Sequence, residues 1–170
     1  ISIGTNDLFV PYLTSLSKSW QIEMQPAMIL KKCIKDKELF EIEYEKYIKL
    51  IMKHEKKIIL IGLPLIQVTG FSNQNVIERN NIIRRLAEKY NIPFIDTPLL
   101  QSKILKKDTN TYSWKYKDLM RVIDAIIMFI IPFSKDWFSK LRKLDLTVDG
   151  VHFNSISAKL IAKEIIRVIE

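Results

Sequence analysis

The chain has 170 residues, 48% of them apolar and 10% aromatic, which is enough for one domain with a real core and too apolar for a disordered chain. Its net charge is +8, but the lysines fall on ordinary helix faces (Lys46, Lys49 and Lys53), and no Arg-rich stripe with interleaved aromatics marks a nucleic-acid partner. The single cysteine, Cys33, excludes an intrachain disulfide, and the longest apolar run, around Ala125 to Pro132, falls far short of the roughly 20 residues that a membrane span needs.

In chain order, Ser2 and Ile3 read as the end of a strand. Strands usually run about five or six residues, so the beginning of this one is expected upstream. The edge at Ile1 to Ile3 is apolar and needs a partner. An N-terminal fragment or a second copy is therefore expected to complete the sheet. From about Pro26 to Lys53 the pattern is helical, with Phe40, Tyr44, Ile48 and Ile51 on one face. Ile58 to Ile61 form a continuous apolar run closed by Gly62 and Pro64, as in a strand covered on both faces of a parallel sheet. Residues 74 to 90 read as a helix carrying Val76, Ile83, Leu86, Ala87 and Tyr90. A turn at Asn91 leads into a short strand, Pro93 to Asp96.

A second helical stretch is predicted from about Ser113 to Ile131, with Tyr116, Leu119, Met120, Ile123 and Ile127 as its stripe and Pro132 as its stop. "FSKDWFSKLRKL" predicts one more short helix. Asn154 or Ser155 caps a closing helix whose stripe is Ala158, Ile161, Ala162, Ile165 and Val168. The alternation of strand and helix predicts an α/β layered fold with a parallel sheet. Segments 8–37 and 98–145 are long for connections in such a fold. They are expected to be insertions over the sheet edge where ligands bind. Their large apolar residues (Phe9, Tyr12, Leu13 and Trp20, then Phe129, Phe133, Trp137 and Phe138) suit either a lid over an acyl chain or ordinary helix packing.

Two short motifs carry chemistry. In "DGVHFN", Asp149 and His152 stand three apart on a turn. A carboxylate that reaches the imidazole Nδ1 fixes the tautomer and leaves Nε2 to act as a base. In "GTND", Asn6 follows the apolar strand at once. Its amide is a neutral donor suited to a developing oxyanion, or it is an ordinary turn or cap residue. Gly4 allows close backbone approach beside it. His54, in "MKHEKK", has no acidic turn motif and reads as a solvated residue near a helix end. Cys33, among Lys31, Lys32 and Lys35, reads as an inert helix cysteine. Two histidines without clustered carboxylates or cysteines imply no metal site.

Together, "GTND" after an apolar strand and "DGVHFN" before a terminal helix resemble the SGNH hydrolases, also called the GDSL lipase/esterase family. "KIILIGLP" resembles the family's next core strand and "NIPFIDT" its last. The resemblance implies a three-layer α/β/α sandwich with a flavodoxin-like parallel sheet. It implies a serine ester hydrolase of the lipase/acylhydrolase or carbohydrate esterase type, acting on a small-molecule ester without a cofactor. It assigns Asn6 to the oxyanion hole, His152 to the base and Asp149 to its orientation. The family's G-D-S block and the glycine block after it are not present. Ser2, Ser15, Ser17, Ser72, Ser102 and Ser157 all lack a G-D-S context. The nucleophile is therefore expected upstream, residues 1–170 as the C-terminal portion of one domain, and this chain alone as inactive. The alternative is a non-catalytic, hydrolase-like binding protein that has lost its nucleophile.

Overall fold

The apolar run at 58–61 supplies the middle of the sheet. The computed structural model describes residues 1–30, 33–54, 57–115, 123, 126–131 and 134–170. In it Leu60–Ile61 form β1, which pairs in parallel with β2, Phe94–Ile95, Leu60 opposite Phe94 and Ile61 opposite Ile95. Ile1 lies along the other edge of β1. Its amino group donates to the Ile59 carbonyl at 2.6 Å, and its carbonyl accepts from the Ile61 N–H at 2.8 Å. Both bonds from one residue straddle Leu60, as in a parallel ladder. The order across the sheet is thus Ile1, Leu60, Phe94. Leu60 and Ile95 are fully buried, as expected of strands covered on both faces.

Helices α1 (Thr5–Leu16) and α2 (Lys18–Leu30) pack against each other ahead of α3 (Lys37–Met52). Asp36 caps α3 by accepting from the Leu39 N–H at 2.7 Å. The predicted stripe Phe40, Tyr44, Ile48 is buried, while Ile51 is half-buried. That face packs on α4 (Gln74–Lys89), which buries Val76, Ile82, Ile83, Leu86 and Ala87. The short α5 (Thr97–Ser102) and the closing α7 (Ser155–Ile169) pack together, and α7 also meets β2. Between them lies α6 (Ser134–Leu141), where a short helix is predicted. Residues 126–130 are helical as well.

Several boundaries differ from the sequence reading. The single helix predicted over 26–53 is two, broken at 33–36. The cause is Arg79 on α4. Its guanidinium donates to the carbonyls of Ile34, Lys35 and Asp36 and stacks 4.2 Å from the Phe40 ring centroid. Those carbonyls are drawn out of any helical ladder. The helix predicted from Ser113 does not begin there. Tyr112 bridges in parallel to Val68, and Ser113 and Trp114 run on in irregular backbone. Of that helix's stripe, Tyr116, Leu119 and Met120 lie outside the described residues, as do its stop Pro132, Phe133, Lys31 and Lys32. On α7 the stripe is only partly covered: Ile161 is buried, Ile165 and Val168 are half-buried, and Ala158 and Ala162 are exposed. The first insertion is core rather than lid, because Phe9, Leu13 and Trp20 are all buried in the main cluster. The arrangement is α/β and rich in helix. Among the described residues its regular sheet has two strands.

The Arg79 clamp has a measurable consequence. Arg79→Leu leaves three main-chain acceptors without their donor and is expected to cost about 1–3 kcal/mol. Arg85→Ala, which breaks a surface ion pair with Glu41, is expected to cost under about 1 kcal/mol. Urea denaturation of the two variants beside the parent protein measures the difference.

Candidate active site

The Asp149 and His152 motif folds as a tight reversal. Thr147 and Phe153 form an antiparallel bridge, and the Val148 N–H donates to the His152 carbonyl at 2.8 Å. Gly150 sits inside the reversal at φ 92°, in the left-handed region that glycine favours. A Cβ there would stand 2.6 Å from Val68 Cγ2 and 2.8 Å from the Gln67 carbonyl oxygen. Buried Gln67 holds the entry to the turn. Its Oε1 accepts from the Leu146 N–H at 2.9 Å and from Thr147 Oγ1 at 3.1 Å, and its own N–H donates to the Gly150 carbonyl at 2.8 Å.

Within the turn, Asp149 is 3% exposed. Its Oδ1 accepts from the N–H groups of Val151 (3.0 Å) and His152 (2.9 Å), and its Oδ2 lies 2.8 Å from His152 Nδ1. Burial pushes the Asp149 carboxyl up, but the hydrogen bond and charge of His152, with the two main-chain donors, outweigh it and hold the group below its usual range. An ionised carboxylate only accepts, so Nδ1 carries the proton and Nε2 faces the other way. The His152 side chain is 67% exposed. A buried, oriented carboxylate behind an accessible imidazole is the arrangement of a general base.

Asn6 stands at the other end of the chain, in the first turn of α1, with its side chain exposed. It does not cap the helix; Gly4 does, at φ 114°. A Cβ on Gly4 would meet Phe40 Cε2 at 2.8 Å, so only glycine lets the strand end approach α3 this closely. Asp7 anchors the same turn by accepting from the Ile34 N–H at 3.0 Å. Burial pushes the Asp7 carboxyl up, against the Ile34 N–H and the Arg79 charge. One helical turn after Asn6, Phe9 meets Trp114 edge-on with ring centroids 4.8 Å apart. Trp114 Nε1 in turn donates to the Asp149 carbonyl at 2.8 Å. The helix carrying Asn6 and the turn carrying His152 therefore share a single tryptophan.

Among the other polar candidates, Cys33 lies beside Asn6. His54 is exposed just beyond α3, its N–H on the Ile51 carbonyl. Ser157 is fully buried, and its Oγ accepts from Gln101 Nε2 at 3.1 Å. Ser15 and Ser102 bond back to carbonyls of their own helices, and Ser17 accepts from the Trp20 N–H. Cys33 is half-buried, its Sγ 3.7 Å from the Asn6 carbonyl. The sequence reading overlooked Gln67 and Trp114. Gln67 left one signal, a polar residue directly after an apolar core run. Trp114 left none, because it stood where a helix was expected to start.

The profile of the family described as GDSL-like Lipase/Acylhydrolase matches residues 1–165. The chain belongs to this family. Comparisons with curated proteins and with solved structures give no match. The GDSL-like match runs from before Asn6 to beyond His152, so both motifs and the sheet between them fall inside it. The family is one of lipases and acylhydrolases.

Two outcomes follow for the turn. Gly150→Ala forces a Cβ against backbone and a packed valine, and is expected to destabilise the fold by about 1–3 kcal/mol, read as a lower midpoint in chemical denaturation. Asp149 titrates below its unfolded value of 3.8 in the folded state. Its contribution is complete above that value and is lost as pH falls through the lower folded pKa. Stability measured downward from pH 3.8 should fall more steeply for the parent protein than for Asp149→Asn.

Proposed function

We propose that this chain carries the acid–base and oxyanion half of a serine ester hydrolase. The observation that carries the reading is the Asp149 carboxylate, buried and 2.8 Å from the Nδ1 of an exposed His152. His152 takes the proton of a serine hydroxyl as it attacks the ester carbonyl, and returns it to the leaving alcohol. Asp149 holds the tautomer and stabilises the imidazolium. Asn6 donates its amide N–H to the tetrahedral oxyanion. Water repeats the cycle on the acyl-enzyme. The chemistry requires no cofactor.

In this reading residues 1–170 belong to one three-layer α/β/α domain, with 8–37 and 98–145 inserted. The serine comes from a strand that docks beside Ile1–Ile3, on an N-terminal fragment or a second copy. Two features of that edge support the docking. Ser2 and Ile3 are exposed, Ile3 by 40%, and a groove of about 370 Å³ beside them is lined by Ile1, Ile3, Phe40, Tyr44, Tyr47 and Ile51. An extended apolar strand fits such an edge. Only the second insertion leaves large rings outside: Phe129 is 87% exposed and Trp137 59%. They favour an apolar acyl chain, with acetyl esters of sugars as the competing substrate.

Hydrolysis of p-nitrophenyl acetate and longer esters by the protein with its nucleophile strand tests this. His152→Ala is expected to lower kcat by about 10⁶ and Asn6→Ala by about 10²–10³. The 170-residue chain alone is expected to stay at background. Full activity of the isolated chain refutes the supplied serine, and an active His152→Ala refutes the base. A complete protein inert toward every ester leaves the non-catalytic binding reading in its place.

A further inference from the structure

Trp114 is tied through both its side chain and its main chain. Its indole Nε1 donates to the Asp149 carbonyl at 2.8 Å, and its own carbonyl accepts from Trp20 Nε1 at 2.8 Å. Its ring meets Phe9 of α1 at an interplanar angle of 85° and lies 5.5 Å from the Trp20 ring of α2. All three rings are buried. One rigid side chain thus joins α1, α2 and the catalytic turn. It cannot swing without leaving a buried N–H unpaired and breaking two aromatic contacts.

We infer that Trp114 is a positioning residue. It sets where the main chain of Asp149 lies relative to the first turn of α1, and so sets the aim of His152 toward Asn6. The inference deepens the ester-hydrolase reading and rests on it for its catalytic meaning. The lever is short. Asp149 grips both the N–H and the Nδ1 of His152, so a shift of its backbone moves the whole imidazole. Asn6 precedes Phe9 by one helical turn, on a neighbouring stretch of the same helix face. Gln67 steadies the same turn from its entry side, but it does not touch α1 by any bond described above. Trp114 is the link that touches both motifs' supports.

Trp114→Phe is the informative change, because it keeps a buried ring against Phe9 while it removes the N–H to Asp149, together with part of the indole's buried volume beside Trp20. The readout is the proton on His152 Nδ1, observed by NMR in ¹⁵N-labelled protein. The chain has two histidines, and His54→Gln leaves His152 alone in the spectrum. Trp114→Phe is expected to shift that resonance upfield or to lose it to solvent exchange, while Trp137→Phe, on an exposed ring, leaves it in place. In the complete enzyme the same variant is expected to lower kcat by about 10²-fold with KM unchanged, the scale of a misplacement near 1 Å. An Nδ1 proton identical in Trp114→Phe and in the parent protein overturns the inference. Should that variant fail to fold, Trp20→Phe removes the donor to the Trp114 carbonyl, and the same resonance must move. A shifted resonance in a protein inert toward all esters sinks the hydrolase reading and leaves the coupling standing.

Discussion

A carboxylate taken out of water must find donors for its charge or give it up. Asp149 finds them within three residues: two main-chain N–H groups and one imidazole. That local satisfaction is the constraint on which the site depends. It bends the chain into a reversal that only glycine can complete at position 150, where backbone and valine leave no room for a Cβ. It also leaves one direction for the ring. With Nδ1 committed to the carboxylate, the imidazole stands mostly in solvent. Orientation and accessibility thus have one cause.

Around that turn the molecule supplies rigidity from the inside. Gln67 reaches it from the segment after β1, and Trp114 reaches it from the segment after α5. Neither side chain belongs to the Asp149–His152 pair. Both are buried polar groups whose hydrogen bonds are directional, and directional bonds specify placement where apolar contact alone does not. The α1–α2 pair, lid-like in sequence, has its aromatic residues in the core instead. Phe9 and Trp20 close on Trp114, so this helical excursion braces the site from below.

The sheet sets where the two motifs emerge. Parallel pairing of β1 with Ile1 on one side and β2 on the other carries all three segments in the same direction. The chain that leaves Ile1–Ile3 therefore exits on the same edge as the chain that leaves β1. Asn6 lies at that exit. Gly4 lets the exit turn press against Phe40, and Asp7, Ile34 and Arg79 hold it there. The buried Arg79 side chain satisfies its guanidinium on three carbonyls of the connection.

The sequence by itself determined the pieces that depend on near neighbours. The Asp149–His152 hydrogen bond, the cap of α7 (read as Asn154 or Ser155, and made by Asn154 accepting from the Ser157 N–H), the apolar run that became β1 and the buried stripe of α3 were all legible, because each spans a few residues and follows from periodicity or turn chemistry. The family was legible for the same reason, through two compact motifs in order. What only the tertiary structure decided depends on residues far apart in the chain. The break at 33–36 required Arg79, more than forty residues away. The loss of helix at 113–115 required Val68 and Asp149 as partners. Whether Phe9 and Trp20 were lid or core turned on a tryptophan near position 114 whose role has no local signature. A hydrogen bond across such distances leaves no period in the sequence, so its geometry exists only once the chain has closed upon itself.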